Sequence, residues 1–231
     1  TEVENIYKNL KLETYTDYKL SNELKFYNQT KYRKEFYGYE DMNLSLNFNF
    51  YDSFSDNIAT QDSFKIKNVS NRIGIKGNSK LFNYDIYGNF GYFKYHVNGL
   101  ENSFSEIYVG GLLKYKNPSF DVVSNFEIKK SSDYRLKVDL KSKIFEASYL
   151  SALYEPKIFE RIYLGNHYSW ENNFNSSFVN NLNAKINLEN RFITFSPSIN
   201  FYTIKDHIYF VGDNHLQADQ VITVSYTHLR A

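Results

Sequence analysis

Polar and apolar residues alternate strictly along much of the chain. In Asp41–Tyr51 the apolar Met42, Leu44, Leu46, Phe48 and Phe50 are separated by Asn43, Ser45, Asn47 and Asn49. A period of two places each set on one face of a β-strand, whereas a helix would scatter both around its circumference. The same alternation predicts strands over 69–77, 81–97, 103–115, 119–129, 134–142, 144–153, 180–188 and 192–203. Leu24, Phe26, Asn28, Thr30 and Tyr32 form one face of an earlier strand, while the highly charged residues 1–20 resist assignment. The apolar rows include Val69/Ile73/Ile75, Phe82/Tyr84/Ile86/Phe90/Tyr92 and Leu136/Val138/Leu140. Opposite them lie polar rows such as Arg72/Lys76, Arg135/Lys137/Asp139/Lys141 and Asn181/Asn183/Lys185.

Most of these strands have the roughly 9–11 residues that cross a bilayer when tilted. Gly77-Asn78-Ser79, Lys116-Asn117-Pro118, Ser142-Lys143 and Asn190-Arg191 read as tight turns. They alternate with longer polar stretches at 52–62, 98–102, 130–133 and 154–173. Outer-membrane barrels have this asymmetry of short periplasmic turns and longer outside loops. A soluble antiparallel sheet with one wet face also alternates. It would need a second apolar layer over its aromatic rows, and no amphipathic helix supplies one. The expected fold is therefore all-β. It is an antiparallel meander of roughly 9–11 strands by this alternation, forming part of an incomplete transmembrane barrel over residues 1–223.

Composition strengthens this picture. The chain has 231 residues, with 22 Tyr and 20 Phe but only 3 Pro. Aromatics favour strands, and proline breaks ladders. Mean hydropathy is −0.55 and there is no long apolar run, which excludes a transmembrane helix but suits a barrel wall with one polar face. Net charge is +1, so nucleic acid is not an expected partner. The absence of cysteine excludes disulfides and thiolate metal sites.

Five histidines lack the spacing of a zinc motif, and neither a metal nor a cofactor is expected. His167 and Ser169 are two residues apart, as in a wall-mounted hydrolase pair, but no companion motif accompanies them, so no enzyme activity is expected. Lumen charges tune what passes through a pore. On that ground Arg72, Lys76, Arg135, Lys137, Asp139, Lys141 and Lys185 are the candidate pore-lining residues. Tyr168, Trp170 and Phe174 are candidate rim aromatics, since amphipathic rings suit the interface.

The stretch Tyr163-Leu164-Gly165-Asn166-His167-Tyr168-Ser169-Trp170-Glu171-Asn172-Asn173-Phe174 resembles the N-H-Y-x-W-x-N-N-F stretch of a porin family of Bacteroidota. His207-Ile208-Tyr209-Phe210 resembles that family's I-Y-F-D, with Val211 in place of the aspartate. The resemblance is best over residues 160–217 and implies a large outer-membrane barrel with no catalytic residues. The implied function is passive diffusion of small hydrophilic solutes or ions across a Gram-negative outer membrane, with outer-membrane lipid and a possible second copy of the chain as partners. A plugged receptor or transporter barrel and a surface adhesion or structural barrel are the alternatives. Thr1-Glu2-Val3-Glu4 shows no signal peptide, and Val224–Ala231 resembles translated adapter sequence. The chain is therefore expected to be a piece of a longer one, with 224–231 a non-native tail.

Overall fold

The computed structural model describes residues 3–42, 59–131, 133–166, 168–189, 194–211, 214–218 and 221–228. Eight long strands follow one another: β1 (Val3–Lys19), β2 (Leu24–Asp41), β3 (Thr60–Asn78), β4 (Phe82–Val97), β5 (Leu100–Lys116), β6 (Phe120–Lys129), β7 (Tyr134–Ser142) and β8 (Phe145–Tyr154). A short helix, α1 (Ile158–Arg161), and the hairpin β9 (Ile162–Leu164) and β10 (Ser169–Glu171) lead to β11 (Ser177–Ile186). A small hairpin of β12 (Leu188–Glu189) and β13 (Thr194–Phe195) precedes β14 (Ser198–Lys205). Another, β15 (Ile208–Val211) and β16 (Asn214–Gln217), precedes β17 (Ile222–His228).

β1 to β8 pair in sequence order and continue into β11, β14 and β17, giving one antiparallel sheet of eleven strands. Neighbours in the chain are neighbours in the sheet, so every main-sheet connection is local. The sheet is not closed: among the described residues β1 pairs only with β2, and β17 only with β14.

The alternation read from the sequence becomes two faces once the register is known. One face carries Phe26, Val69, Ile73, Ile75, Ile86, Phe90, Ile107, Val109, Leu113, Ile128, Leu136, Tyr149, Leu182, Ile199 and Phe201, all exposed. Along β4 this apolar band runs from Phe82 to Tyr92. Those ten steps cover about 34 Å of strand, or about 24 Å of height at a tilt of ~45°. That matches the ~25 Å apolar belt of a membrane barrel. Phe82, Tyr115 and Phe120 form its lower aromatic edge, with ring centroids 4.9 and 5.6 Å apart. The band's few polar groups satisfy one another, as where Asn71 Nδ2 donates to Asn28 Oδ1 (3.2 Å) and Thr30 Oγ1 (2.8 Å).

Several expectations shift. Within residues 1–20, unassigned from sequence because their charges obscure the period, Val3–Lys19 form β1. The expected loop 98–102 is a two-residue turn. Asn98 and Gly99 have φ of 40° and 96°, the positive pair a tight hairpin requires, and β5 starts at Leu100. The strand expected over 192–203 starts only at Ser198, because Thr194–Phe195 pair back on Leu188–Glu189. Strand β11 starts and ends earlier than its apolar row suggested. The strand expected over Asp41–Tyr51 lies almost wholly outside the described residues, as does the turn at Asn190-Arg191. Of the stretch set apart at Val224, residues 224–228 lie in β17 beside β14, and the rest lies outside the described residues.

Candidate pore wall and inward segment

Opposite the apolar band, one rung of the ladder reads Tyr27–Gly74–Tyr87–Gly110–Glu127–Arg135 across β2 to β7. Each tyrosine lies flat over the glycine on the next strand, and a Cβ on Gly110 would sit 2.6 Å from the Tyr87 ring. That clearance lets a phenol reach past one strand to a carboxylate on the next. Tyr87 Oη donates to Glu127 Oε1 at 2.5 Å, and Tyr27 Oη to Asp85 Oδ1 at 2.7 Å. A side chain at residue 110 must displace the ring, so Gly110→Val should destabilise by about 1–3 kcal/mol. Denaturant unfolding of the refolded protein checks this.

The sequence-predicted pore residues fall on this face. Arg72 lies 3.8 Å from the Tyr87 ring centroid and 3.7 Å from Glu127. Lys76 sits 4.3 Å from the Tyr27 centroid and 3.7 Å from Asp85. Lys137 pairs with Asp139 at 3.0 Å, Asp139 also accepts from Ser148 Oγ at 2.7 Å, and Lys141 faces Glu146 at 3.5 Å. Arg135 and Lys185 share the face with no ion pair among the described residues. The structure thus gathers Arg72 and Lys76 into one network, places Lys137, Asp139 and Lys141 beside it, and leaves Arg135 and Lys185 apart.

The sequence reading missed the acidic and phenolic partners. Tyr27, Tyr87, Asp85 and Glu127 stand out only once the register aligns Tyr with Gly. It also missed Lys129, whose ammonium lies 2.6 Å from both Glu106 and Glu155.

Residues 155–176 show that this polar face is the concave one. They leave β8 and fold back onto the inner side of β2–β4, four to six strands and about 19–29 Å away along the sheet. Phe159 packs 3.9 Å from the Phe64 centroid and 6.1 Å from Tyr37. Asn166 N donates to both Asp62 oxygens (2.9 and 3.0 Å), Asn166 Nδ2 to Thr60 Oγ1 (2.8 Å), and Asn98 Nδ2 to Leu164 O (2.5 Å). Burial, and then the Asp62 carboxylate beside it, push the Tyr163 phenol up to about 12. At the root of the segment, Asp133 accepts from Glu155 N at 2.7 Å and Ser176 Oγ at 3.2 Å. Burial holds its carboxyl above the usual carboxylate range.

Trp170 stacks on Tyr163 at 4.8 Å, meets His215 and Phe210 edge-on, and donates Nε1 to Phe159 O at 2.7 Å. Asn172 Nδ2 donates to Asn214 Oδ1 at 3.3 Å. The two stretches singled out by resemblance, about forty residues apart in the chain, therefore pack together as the β9–β10 and β15–β16 hairpins. Of the rim aromatics, Trp170 is the packing centre. Tyr168 O accepts from Gly165 N at 2.8 Å within the turn, and Phe174 is half-buried. His167, half of the possible hydrolase pair, lies outside the described residues.

A family model described as "Putative porin" matches residues 2–231. The chain belongs to that porin family. Among solved structures, it is similar to the copper transporter OprC (TM-score 0.67, 9% identity), covering 96% of this chain and 43% of that one. It is also similar to the siderophore receptor PirA from Pseudomonas aeruginosa (TM-score 0.54, 7% identity), covering 96% of this chain and 53% of that one. The chain thus spans about half the length of these structures, and the likeness shows their outer-membrane barrel fold. A search of curated protein sequences gave no match. This porin-family chain forms an outer-membrane-type β-barrel wall, with an uncharged band on its outer face and a charged, hydrogen-bonded face on its concave side.

Proposed function

We propose that the protein is a porin of a Gram-negative outer membrane, passing small hydrophilic solutes or ions by passive diffusion and catalysing no reaction. The observation that carries this reading is the concave wall. Its arginine, lysines and carboxylates are held in a network that keeps a polar surface presented to water. A barrel in lipid must have both sheet edges paired, so the working pore has strands beyond these eleven. The inward segment 155–176 narrows that interior. It is flanked by a cavity of about 610 Å³ lined by Tyr95, Asn102, Phe104, Arg161, Glu171 and Asn172, among others.

The inward segment also favours a second reading, a gated transporter whose interior is blocked at rest. It counts against an adhesin, since this long connection turns into the barrel rather than out from it. Single-channel recording in a planar bilayer, using the full-length gene product that contains this chain, separates the readings. Discrete open steps are expected. A folded, detergent-dependent protein giving no steps would contradict the porin reading. Asp62→Ala removes three acceptor contacts to Asn166 N and Asn98 Nδ2. It should weaken the anchoring of the segment by about 1.5–3 kcal/mol and give larger, noisier open steps in the same recording.

A further inference from the structure

Just above the apolar band, at the end of the sheet from which segment 155–176 extends, the outward face changes from uncharged to basic. Two adjacent rungs make the change. The first reads Leu10–Lys34–Lys67–Lys94 and the second Lys8–Phe36–Lys65–His96–Glu101 across β1 to β5. Lys94 is taken by Glu101 at 2.5 Å, the one acidic neighbour in these rungs. Lys8, Lys34, Lys65 and Lys67 make no ion pair among the described residues, unlike most of the lumen cations. Lys8 and Lys65 each hold their ammonium 5.9 Å from the Phe36 centroid. With Lys34 and Leu10 they line an outward groove of about 340 Å³.

Four ammonium groups without an ion pair, sharing two rungs with a single carboxylate that Lys94 already engages, repel one another unless an anion joins them. They sit at headgroup level, in the rung of Leu10 and the one above it, with Leu12 of the apolar face below. Long connections mark the external side of an outer-membrane barrel. We propose that this patch binds the phosphate groups of a phosphorylated lipid of the outer leaflet. The lysines of β1–β3 hold the phosphates, while the acyl chains lie down the apolar band from Leu10. The proposal rests on which face meets lipid and does not depend on whether the lumen conducts.

The test uses the full-length protein in phosphatidylcholine nanodiscs doped with bis-phosphorylated lipid A, with retained lipid read by native mass spectrometry. Wild type should retain lipid A in preference to its dephosphorylated form. Each lysine replaced by glutamine should lower affinity about fivefold, so Lys8→Gln/Lys34→Gln/Lys65→Gln/Lys67→Gln should lose nearly all retention. Lumen-facing Lys137→Gln/Lys141→Gln should retain it fully. Resistance of unboiled samples to SDS confirms that each variant is folded. Single substitutions repeat the measurement if the quadruple variant does not fold. Full retention by the folded patch variants, or equal loss from the lumen control, would overturn the proposal. Displacement of lipid A by millimolar inorganic phosphate would also overturn it, by showing a free-anion site.

Discussion

Val109→Arg should cost about 2–4 kcal/mol, and Asn125→Arg far less. Val109 is 54% exposed in the middle of the apolar band, between Gly88 and Ile128 in the ladder. If that face meets lipid, a guanidinium there must either leave water or distort the strand to reach it. Asn125 lies at nearly the same height on β6 but on the concave face, opposite Leu112 and Lys137. A cation there stays hydrated and finds carboxylates nearby. Equilibrium unfolding from detergent or lipid vesicles gives both values. A soluble sheet would show the opposite order, since exposed Val109 would then face water.

Lys129→Met should cost about 1–3 kcal/mol. Its ammonium is the shared partner of Glu106 and Glu155, each at 2.6 Å, and its side chain and that of Glu106 are 16% exposed. Methionine keeps the packing and removes the charge, leaving two half-buried carboxylates facing each other. Lys129→Met/Glu106→Gln should recover part of the loss, because one uncompensated charge goes with it. Glu155 also starts the inward segment and hydrogen-bonds Asp133 through its amide. The single variant should therefore show a loosened segment as well, seen as faster amide exchange over residues 155–176. A stability loss with unchanged exchange would mean that the lysine supports the wall alone.

The uncharged rows were legible in the sequence because alternation is local, and each apolar residue on β3–β8 declares its own face. Their assignment to one side of a single sheet follows from the same parity. The polar network was not legible, since Tyr87 reaches Glu127 only because Gly110 intervenes, and that depends on the register of two hairpins. The inward course of 155–176 was equally hidden. Its anchors Asp62, Phe64 and Asn98 are far away in sequence, and a polar connection of that length reads as an outside loop. Trp170 was singled out as a lone amphipathic ring, and its position beside Tyr163 and Phe210 gives that choice a packing role. The turn at Asn98-Gly99 was readable in principle, but the polar residues following it disguised the start of β5.

The central claim is that β4 turns Ile86, Gly88 and Phe90 toward lipid and Asp85, Tyr87 and Asn89 toward the interior. The chain has no cysteine, so single cysteines at these six positions can each carry a fluorophore in the full-length protein. Quenching by lipids with a nitroxide on the acyl chain should then be strong at 86, 88 and 90 and weak at 85, 87 and 89. A water-soluble quencher should reach the second set through the interior. Uniform quenching along β4, or the reverse alternation, would contradict the account.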